Sequence, residues 1–253
     1  MTLVVGHRGS PVQRPENTLP SFELAVEQGV DAIELDVHLT ADGQLAVIHD
    51  ATLERTTNLS GSVAQMTMDA IRAADAGYRF GPDEATHPYR GHGLHVPTLP
   101  EVLDWLPDGV GLVVELKSRD AADVTVAVLH DSRVGKAGLA TVISFDEQAI
   151  DRVRELDAAL PTGLLLVPSD KVERVLQWAV EHRHQGVHPW DGDLGIDPMP
   201  LIAQAMAYGI RLGCYVVNEP ARMEHLAAVG LWGFVTDVPD VARAALGRAG
   251  GSD

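Results

Sequence analysis

Three things are scarce in this chain: cysteine, positive charge and long apolar runs. A single cysteine, Cys214, rules out a disulfide within the chain, so stability has to come from a packed core, which that residue is expected to help fill. The simplest setting is a reducing one, the cytoplasm. Only 19 lysines and arginines face 36 acidic residues, a formal charge of -17, which argues against broad contact with nucleic acid or an anionic membrane. No stretch of about 18 apolar residues offers a membrane span, and the M-T-L-V-V-G-H start has neither the positive region nor the apolar segment of a signal peptide. Aromatic residues are also few, at 5%. The 45% hydrophobic and 22% charged residues are nevertheless ordinary for a self-folding globular protein.

What the chain does have is alternation. Apolar, β-rich runs recur at Leu3 to His7, Ala32 to His38, Gly111 to Lys117, Leu139 to Phe145, Thr162 to Val167, Gly186 to Trp190, Arg211 to Val217 and Gly233 to Asp237. Capped or periodic helical segments follow them, among them Thr18 to Glu27, Pro100 to Leu106, Asp146 to Asp157, Ser169 to His182, Pro198 to Tyr208 and Pro220 to Val229. Eight such units predict an α/β fold, a closed (β/α)8 TIM barrel. The rival doubly wound sheet lacks its Gly-rich dinucleotide loop after the first strand. The interval from Asp50 to Val96 breaks the rhythm. An extended run, Gln44 to His49, leads there into a short helix, Thr67 to Asp75, and a Gly/Pro/His-rich loop. The expectation is one domain over residues 1–248 with a small insertion after strand two, about 51–96, and a frayed tail, 249–253.

In such a barrel chemistry belongs at the C-terminal ends of the strands, and those ends are polar here. Strand one finishes in His7 and Arg8; strand two carries Glu34 and Asp36; strand three carries Glu115 and Lys117. Alternation along a strand puts Glu34 with Asp36, and Glu115 with Lys117, on common faces. Three carboxylates on neighbouring covered strands repel one another and lose solvation unless a cation sits among them. An all-oxygen set without cysteine selects a hard divalent ion, Mg2+ or Ca2+, with Mn2+ a further choice. His49 ends the next extended run, so two histidines flank that position and can serve as base and acid across one scissile bond. Arg8 and Lys117 supply the fixed positive charge that binds phosphate oxygens. The constellation reads as metal-assisted cleavage of a phosphate ester.

The ordered motifs G-H-R-G (6–9), P-E-N-T (15–18), E-L-D (34–36), H-D (49–50), T-L-E-R-T-T-N (52–58), P-T-L-P-E-V-L (97–103), V-E-L-K (114–117), V-I-S-F-D (142–146), V-V-N (216–218) and T-D-V-P-D (236–240) resemble the glycerophosphodiester phosphodiesterase family. The resemblance implies a TIM barrel that hydrolyses a glycerophosphodiester, a small-molecule substrate, to glycerol 3-phosphate and an alcohol. It makes Glu34, Asp36 and Glu115 metal ligands, His7 and His49 the acid/base pair, and Arg8 and Lys117 phosphate contacts. Glu16 and Asn17 then support the pocket, although a turn and helix cap before Thr18 explain them equally well. Tyr215 stands where the family has Trp and Val238 where it has Arg, which bears on the leaving group rather than the reaction. Gly6 and Gly9 are expected to give the backbone room for substrate.

A phospholipase-type lyase forming a cyclic phosphate is the alternative chemistry, and a silent phosphodiester-binding barrel the non-enzyme alternative. The latter is expected to lack one of the five central residues, and none is missing. An amidohydrolase barrel calls for H-x-H at strand one, where this chain has H-R-G. Neither a monomer nor a homo-oligomer is excluded. D-G-D-L-G-I-D (191–197) lacks the glycine and glutamate of a calcium loop and reads as a polar βα loop. His87, His92, His95, His182 and His184 read as loop or surface residues, whereas His188, at a strand end, is expected to line the pocket.

Overall fold

The computed structural model describes residues 1–83 and 85–247. The expected tail, 249–253, and Arg248 before it lie outside the described residues. Among the described residues nine strands form in chain order: β1 (Leu3–His7), β2 (Ala32–Leu39), β3 (Leu45–Val47), β4 (Gly111–Leu116), β5 (Ala140–Ser144), β6 (Thr162–Leu165), β7 (Gly186–His188), β8 (Arg211–Cys214) and β9 (Gly233–Thr236). All but β3 run parallel, each beside the next, and the ring closes because β1 pairs with both β2 (His7 opposite Glu34) and β9 (Gly6 opposite Thr236). The result is the eight-stranded barrel expected from the alternation. β3 is a ninth strand outside the ring, antiparallel to β2.

The helices are α1 (Leu19–Glu27), α2 (Met68–Arg72), α3 (Leu99–Trp105), α4 (Ala122–Asp131), α5 (Arg133–Lys136), α6 (Glu147–Leu156), α7 (Val172–His182), α8 (Met199–Tyr208), α9 (Pro220–Ala228) and α10 (Pro239–Ala245). Local signals set their ends. Thr98 and Glu101 form a reciprocal capping box at α3, Asp146 accepts from Gln148 N at α6, and Gly209, at φ 70°, closes α8 in the left-handed region where glycine is unstrained. Among the described residues no helix is long and apolar enough to cross a membrane.

Strand alternation divides the core. Ile33, Leu35 and Val37 of β2 and Leu112, Val114 and Leu116 of β4 belong to the large apolar cluster beneath the helices. The residues between them, Glu34, Asp36 and Glu115, take the opposite face, the barrel interior. The segment between β2 and α3 builds a second cluster, in which Ala46 and Ile48 pack with Leu53, Val63, Met68 and Ile71. Cys214 is 1% exposed, packed in the main core as expected.

His188 points into the barrel over three glycines. A Cβ on Gly163, Gly186 or Gly213 would come within 2.6 to 2.7 Å of its ring nitrogens, so only hydrogen at those positions admits the imidazole. Its Nε2 has no hydrogen-bond partner among the described residues, and burial pushes its pKa down to about 4. The unfolded chain takes up this proton from about pH 6.5 downward, whereas the folded chain resists until about 4. The neutral-pH advantage of the fold is therefore lost as pH falls through this window, by about 3 kcal/mol once complete. Urea midpoints at pH 7.5 and 4.5 check this: His188→Leu should remove that part of the acid loss, and an unchanged loss in the variant contradicts it.

Candidate active site

The C-terminal mouth of the barrel holds a cavity of about 240 Å3. One wall is polar, made by His7, Arg8, Glu34, His49, Glu115 and Lys117; the other is apolar, made by Ile143, Phe145, Leu165, Tyr215, Val216 and Val235. Strands β1, β2 and β4 are adjacent, so residues far apart in sequence meet on the polar side.

Glu34, Asp36 and Glu115 converge, each with a carboxylate oxygen within 4.8 Å of the others. Asp36 is covered completely, and its charge is held by Arg8 Nε at 3.2 Å and Lys117 Nζ at 2.9 Å. Lys117 also reaches Glu115 at 2.5 Å. Burial opposes ionisation of Asp36, but Lys117 and Arg8 outweigh it and hold the group below its ordinary range. Glu34 has no such cation at its side chain. Burial, followed by the negative charge of Asp36, pushes it up to about 8. One Glu34 oxygen accepts from Arg8 N at 3.0 Å, while Oε1 is buried without a hydrogen-bond partner among the described residues. A buried, unpartnered carboxylate oxygen beside two further carboxylates suits a hard divalent cation, and these three residues are the ones that could hold it.

Each histidine leans on a carboxylate. His7 Nδ1 is 2.6 Å from Asp237 Oδ1, and His49 Nδ1 is 2.6 Å from Asp50 Oδ1. An ionised carboxylate only accepts, so Nδ1 carries the hydrogen and Nε2 is left for proton transfer. Both acids are held ionised: hydrogen bonding from Arg55 brings Asp50 down to about 2, and the His7 contact outweighs burial at Asp237. The imidazoles themselves differ. Burial lowers both; at His7 the Asp237 bond and the Glu34 charge reverse the sign and raise it, whereas His49 stays below its ordinary value.

Beyond these pairs lies a supporting network. Arg55, from the insertion, binds Asp50 through Nε at 2.6 Å and Glu16 through two nitrogens at 2.7 Å, and Glu16 in turn accepts from Arg8 at 2.9 Å. On the other side Asn218 donates to Asp237 at 2.7 Å and accepts from its backbone N–H at 2.9 Å. Asn17 is buried and donates to Asp36 at 2.7 Å. Helix capping does not explain it: Thr18 is the cap residue of α1 and makes no side-chain cap bond. Arg8 and Asn17 both adopt left-handed backbone, φ 53° and 55°, the kind of strain that functional loops retain when their side chains are over-determined.

The structure brings ten of the eleven expected residues to the site. Tyr215 lines the apolar wall, its ring edge-on to Phe145 at 5.9 Å and its hydroxyl donating to Leu166 O. His188 does not line the cavity; it faces the opposite end of the barrel, packed near Trp232 at 6.1 Å, because β7 ends with this side chain turned inward over the glycines. The glycines also work differently from the expectation. A Cβ at Gly9 would lie 2.4 Å from Ser21 Oγ, and one at Gly6 would lie 2.7 Å from Gly9 O. They therefore give room to the β1 turn and helix α1 rather than to substrate. Asp237, Asp50, Arg55, Asn218 and Phe145 escaped sequence reasoning. All five fall within the quoted motifs, H-D, T-L-E-R-T-T-N, V-I-S-F-D, V-V-N and T-D-V-P-D, which did not indicate what each side chain would meet. Asp237→Asn is expected to cut turnover about 10-fold to 100-fold with KM little changed, the scale of losing an orienting partner; steady-state kinetics separates the two constants, and an equal rise in KM speaks against a positioning role.

Two aspartate-backed histidines set among fixed cations, at the end of the strands where barrel enzymes act, fit a phosphodiesterase-type hydrolase barrel. It belongs to the glycerophosphoryl diester phosphodiesterase family, whose profile matches residues 7–241. The chain is 33% identical over 247 residues to a glycerophosphodiester phosphodiesterase of Caldanaerobacter subterraneus subsp. tengcongensis, across 94% of this chain and 95% of that protein. It is 34% identical over 257 residues to a glycerophosphodiester phosphodiesterase of Bacillus subtilis, across 94% and 84%. Its fold is similar to that of an Oleispira antarctica phosphodiesterase solved in complex with the product sn-glycerol-3-phosphate, with a TM-score of 0.84, 26% identity, and coverage of 98% of this chain and 97% of that one.

Proposed function

We propose that this chain hydrolyses glycerophosphodiesters to glycerol 3-phosphate and an alcohol, using one hard divalent ion and two histidines. The observation that carries this reading is the convergence on one cavity of three carboxylates, with a bare buried oxygen on Glu34, and of His7 and His49, each backed by an aspartate. The product bound by the Oleispira relative supports the choice of substrate. Glu34, Asp36 and Glu115 would hold Mg2+, Ca2+ or Mn2+. When bound, the ion offsets phosphoryl charge and polarises the phosphorus centre.

The chain's own groups do the rest. Arg8 and Lys117 bind non-bridging oxygens, a fixed electrostatic clamp that needs no reorganisation as charge shifts. One histidine removes the proton of the attacking water through Nε2, and the other returns a proton to the leaving alkoxide. Asp50 and Asp237 hold each ring in the required tautomer. Glu16 and Asn17 fix Arg8 and Asp36. The apolar wall with Tyr215 and Phe145 excludes water from the opposite side.

The catalytic unit spans residues 1–248, the insertion at about 51–96 included, and acts in the cytoplasm; the lone, buried cysteine and the strong negative charge support that setting. Glycerophosphocholine incubated with protein and Mg2+, Ca2+ or Mn2+ should release glycerol 3-phosphate, and chelator should stop the release. Phosphorus NMR of the first product reads the nucleophile: glycerol 3-phosphate directly for water, a cyclic phosphate for the substrate hydroxyl. Absence of any metal-dependent release leaves a binding barrel and overturns the proposal.

A further inference from the structure

Away from the catalytic mouth, at the N-terminal ends of β6 and β7, a second group of side chains converges. Asp151 of α6, His182 at the end of α7 and His184 just after it each place a ligand-type atom within 4.8 Å of the others. Asp151 Oδ1 is 3.2 Å from His182 Nδ1 and 3.0 Å from His184 Nε2. We propose that Asp151, His182 and His184 form a separate binding site for a divalent transition-metal ion of the zinc class.

The geometry comes close to what such an ion requires. A tetrahedral ion about 2.0 to 2.1 Å from its ligands separates neighbouring ligand atoms by about 3.3 Å, and two of the three edges already lie near that value. Both imidazoles lie on Trp178, with ring centroids 4.6 and 5.0 Å away and planes within 23° and 19° of the indole. The common platform holds the two rings parallel, so their in-plane lone pairs aim at the same carboxylate. His184 lies in the loop between α7 and β7 but is buried there, and its other nitrogen, Nδ1, lies 2.7 Å from Thr162 Oγ1. With an ion on Nε2, Nδ1 would donate to that hydroxyl, and the hydroxyl would donate onward to Gln185 Oε1 at 3.3 Å. An outer partner of this kind orients a ligating histidine and raises its basicity. His182 is 42% exposed, so the third ligand can rotate to close the site and the remaining position faces water.

The donor set separates the two sites chemically. Two imidazoles and one carboxylate favour zinc, cobalt or nickel, whereas the all-oxygen set of Glu34, Asp36 and Glu115 favours magnesium, calcium or manganese. An ion here would tie α6 to the segment entering β7. It would act on stability rather than on the phosphate chemistry.

The test uses tag-free full-length protein stripped of metal and kept in excess Mg2+, so that the carboxylate site is not available to the probe. Co2+ titration should produce visible ligand-field bands saturating at a single equivalent, and Zn2+ should displace them and raise the thermal midpoint. His182→Gln, at an exposed position that does not threaten folding, should lose the bands or weaken Co2+ binding about 100-fold or more, beyond the effect of an outer-shell change. Glu34→Gln should leave them intact. No bands in the parent protein, or equal Co2+ affinity in parent and His182→Gln, overturns the proposal.

Discussion

Replacing any one of Glu34, Asp36 and Glu115 by its amide is expected to lower turnover of glycerophosphocholine by about 1,000-fold or more, with chelator adding little further loss. The magnitude follows from the several kcal/mol by which a bound divalent ion stabilises phosphoryl transition-state charge, at about 1.4 kcal/mol per tenfold in rate. Asp36 should be the most sensitive. It is covered completely, and it anchors Arg8, Lys117 and Asn17 together, so Asp36→Asn is expected to loosen both proposed phosphate contacts as well as remove one proposed metal ligand. Thermal midpoints of the metal-free variants guard against a trivial cause: the amides remove repulsion among three carboxylates within 4.8 Å, so Glu34→Gln should fold at least as well as the parent. Near-parent turnover in Glu34→Gln or Glu115→Gln would falsify the ligand assignment.

His7→Gln and His49→Gln should each reduce turnover about 100-fold to 10,000-fold, the range for a general acid or base. The double variant should fall by less than the product of the two, because groups acting in one proton relay are not additive. Substrate choice then separates the roles. A nitrophenyl phosphodiester releases a weakly basic leaving group that needs no proton, so replacing the acid costs little on that substrate while replacing the base still costs the full factor. Each histidine is held the same way, by a carboxylate at 2.6 Å. Asp237 shares its second oxygen with Asn218, whereas Asp50 is gripped by Arg55 from the insertion. Losing turnover in neither histidine variant removes the two-histidine mechanism.

The barrel was readable because its cause is local. Each strand of the ring falls within a largely apolar run, and the helices between include capped ones such as that with the Thr98 and Glu101 box. Strand ends were less legible. The runs read as Gly186 to Trp190 and Arg211 to Val217 end as regular strands at His188 and Cys214, with only an isolated parallel bridge between Trp190 and Tyr215 beyond them, and Tyr215 and Val216 line the cavity. The extended run at Gln44 to His49 pairs only over Leu45–Val47, which leaves His49 just past the strand, free to turn toward the cavity.

The sequence by itself determined the alternation that makes eight βα units, and the two-residue spacing that sends Glu34 and Asp36, and Glu115 and Lys117, into one interior. Those features depend only on the period of an extended chain. Tertiary structure decided the partnerships. Asp237 meets His7 across 230 positions because β9 closes the ring against β1, Arg55 reaches Asp50 and Glu16 because the insertion folds back on the mouth, and His188 turns away from the site because three glycines open the barrel interior to its ring. Periodicity fixes the face a residue takes, but only closure of the barrel fixes the neighbour it finds there.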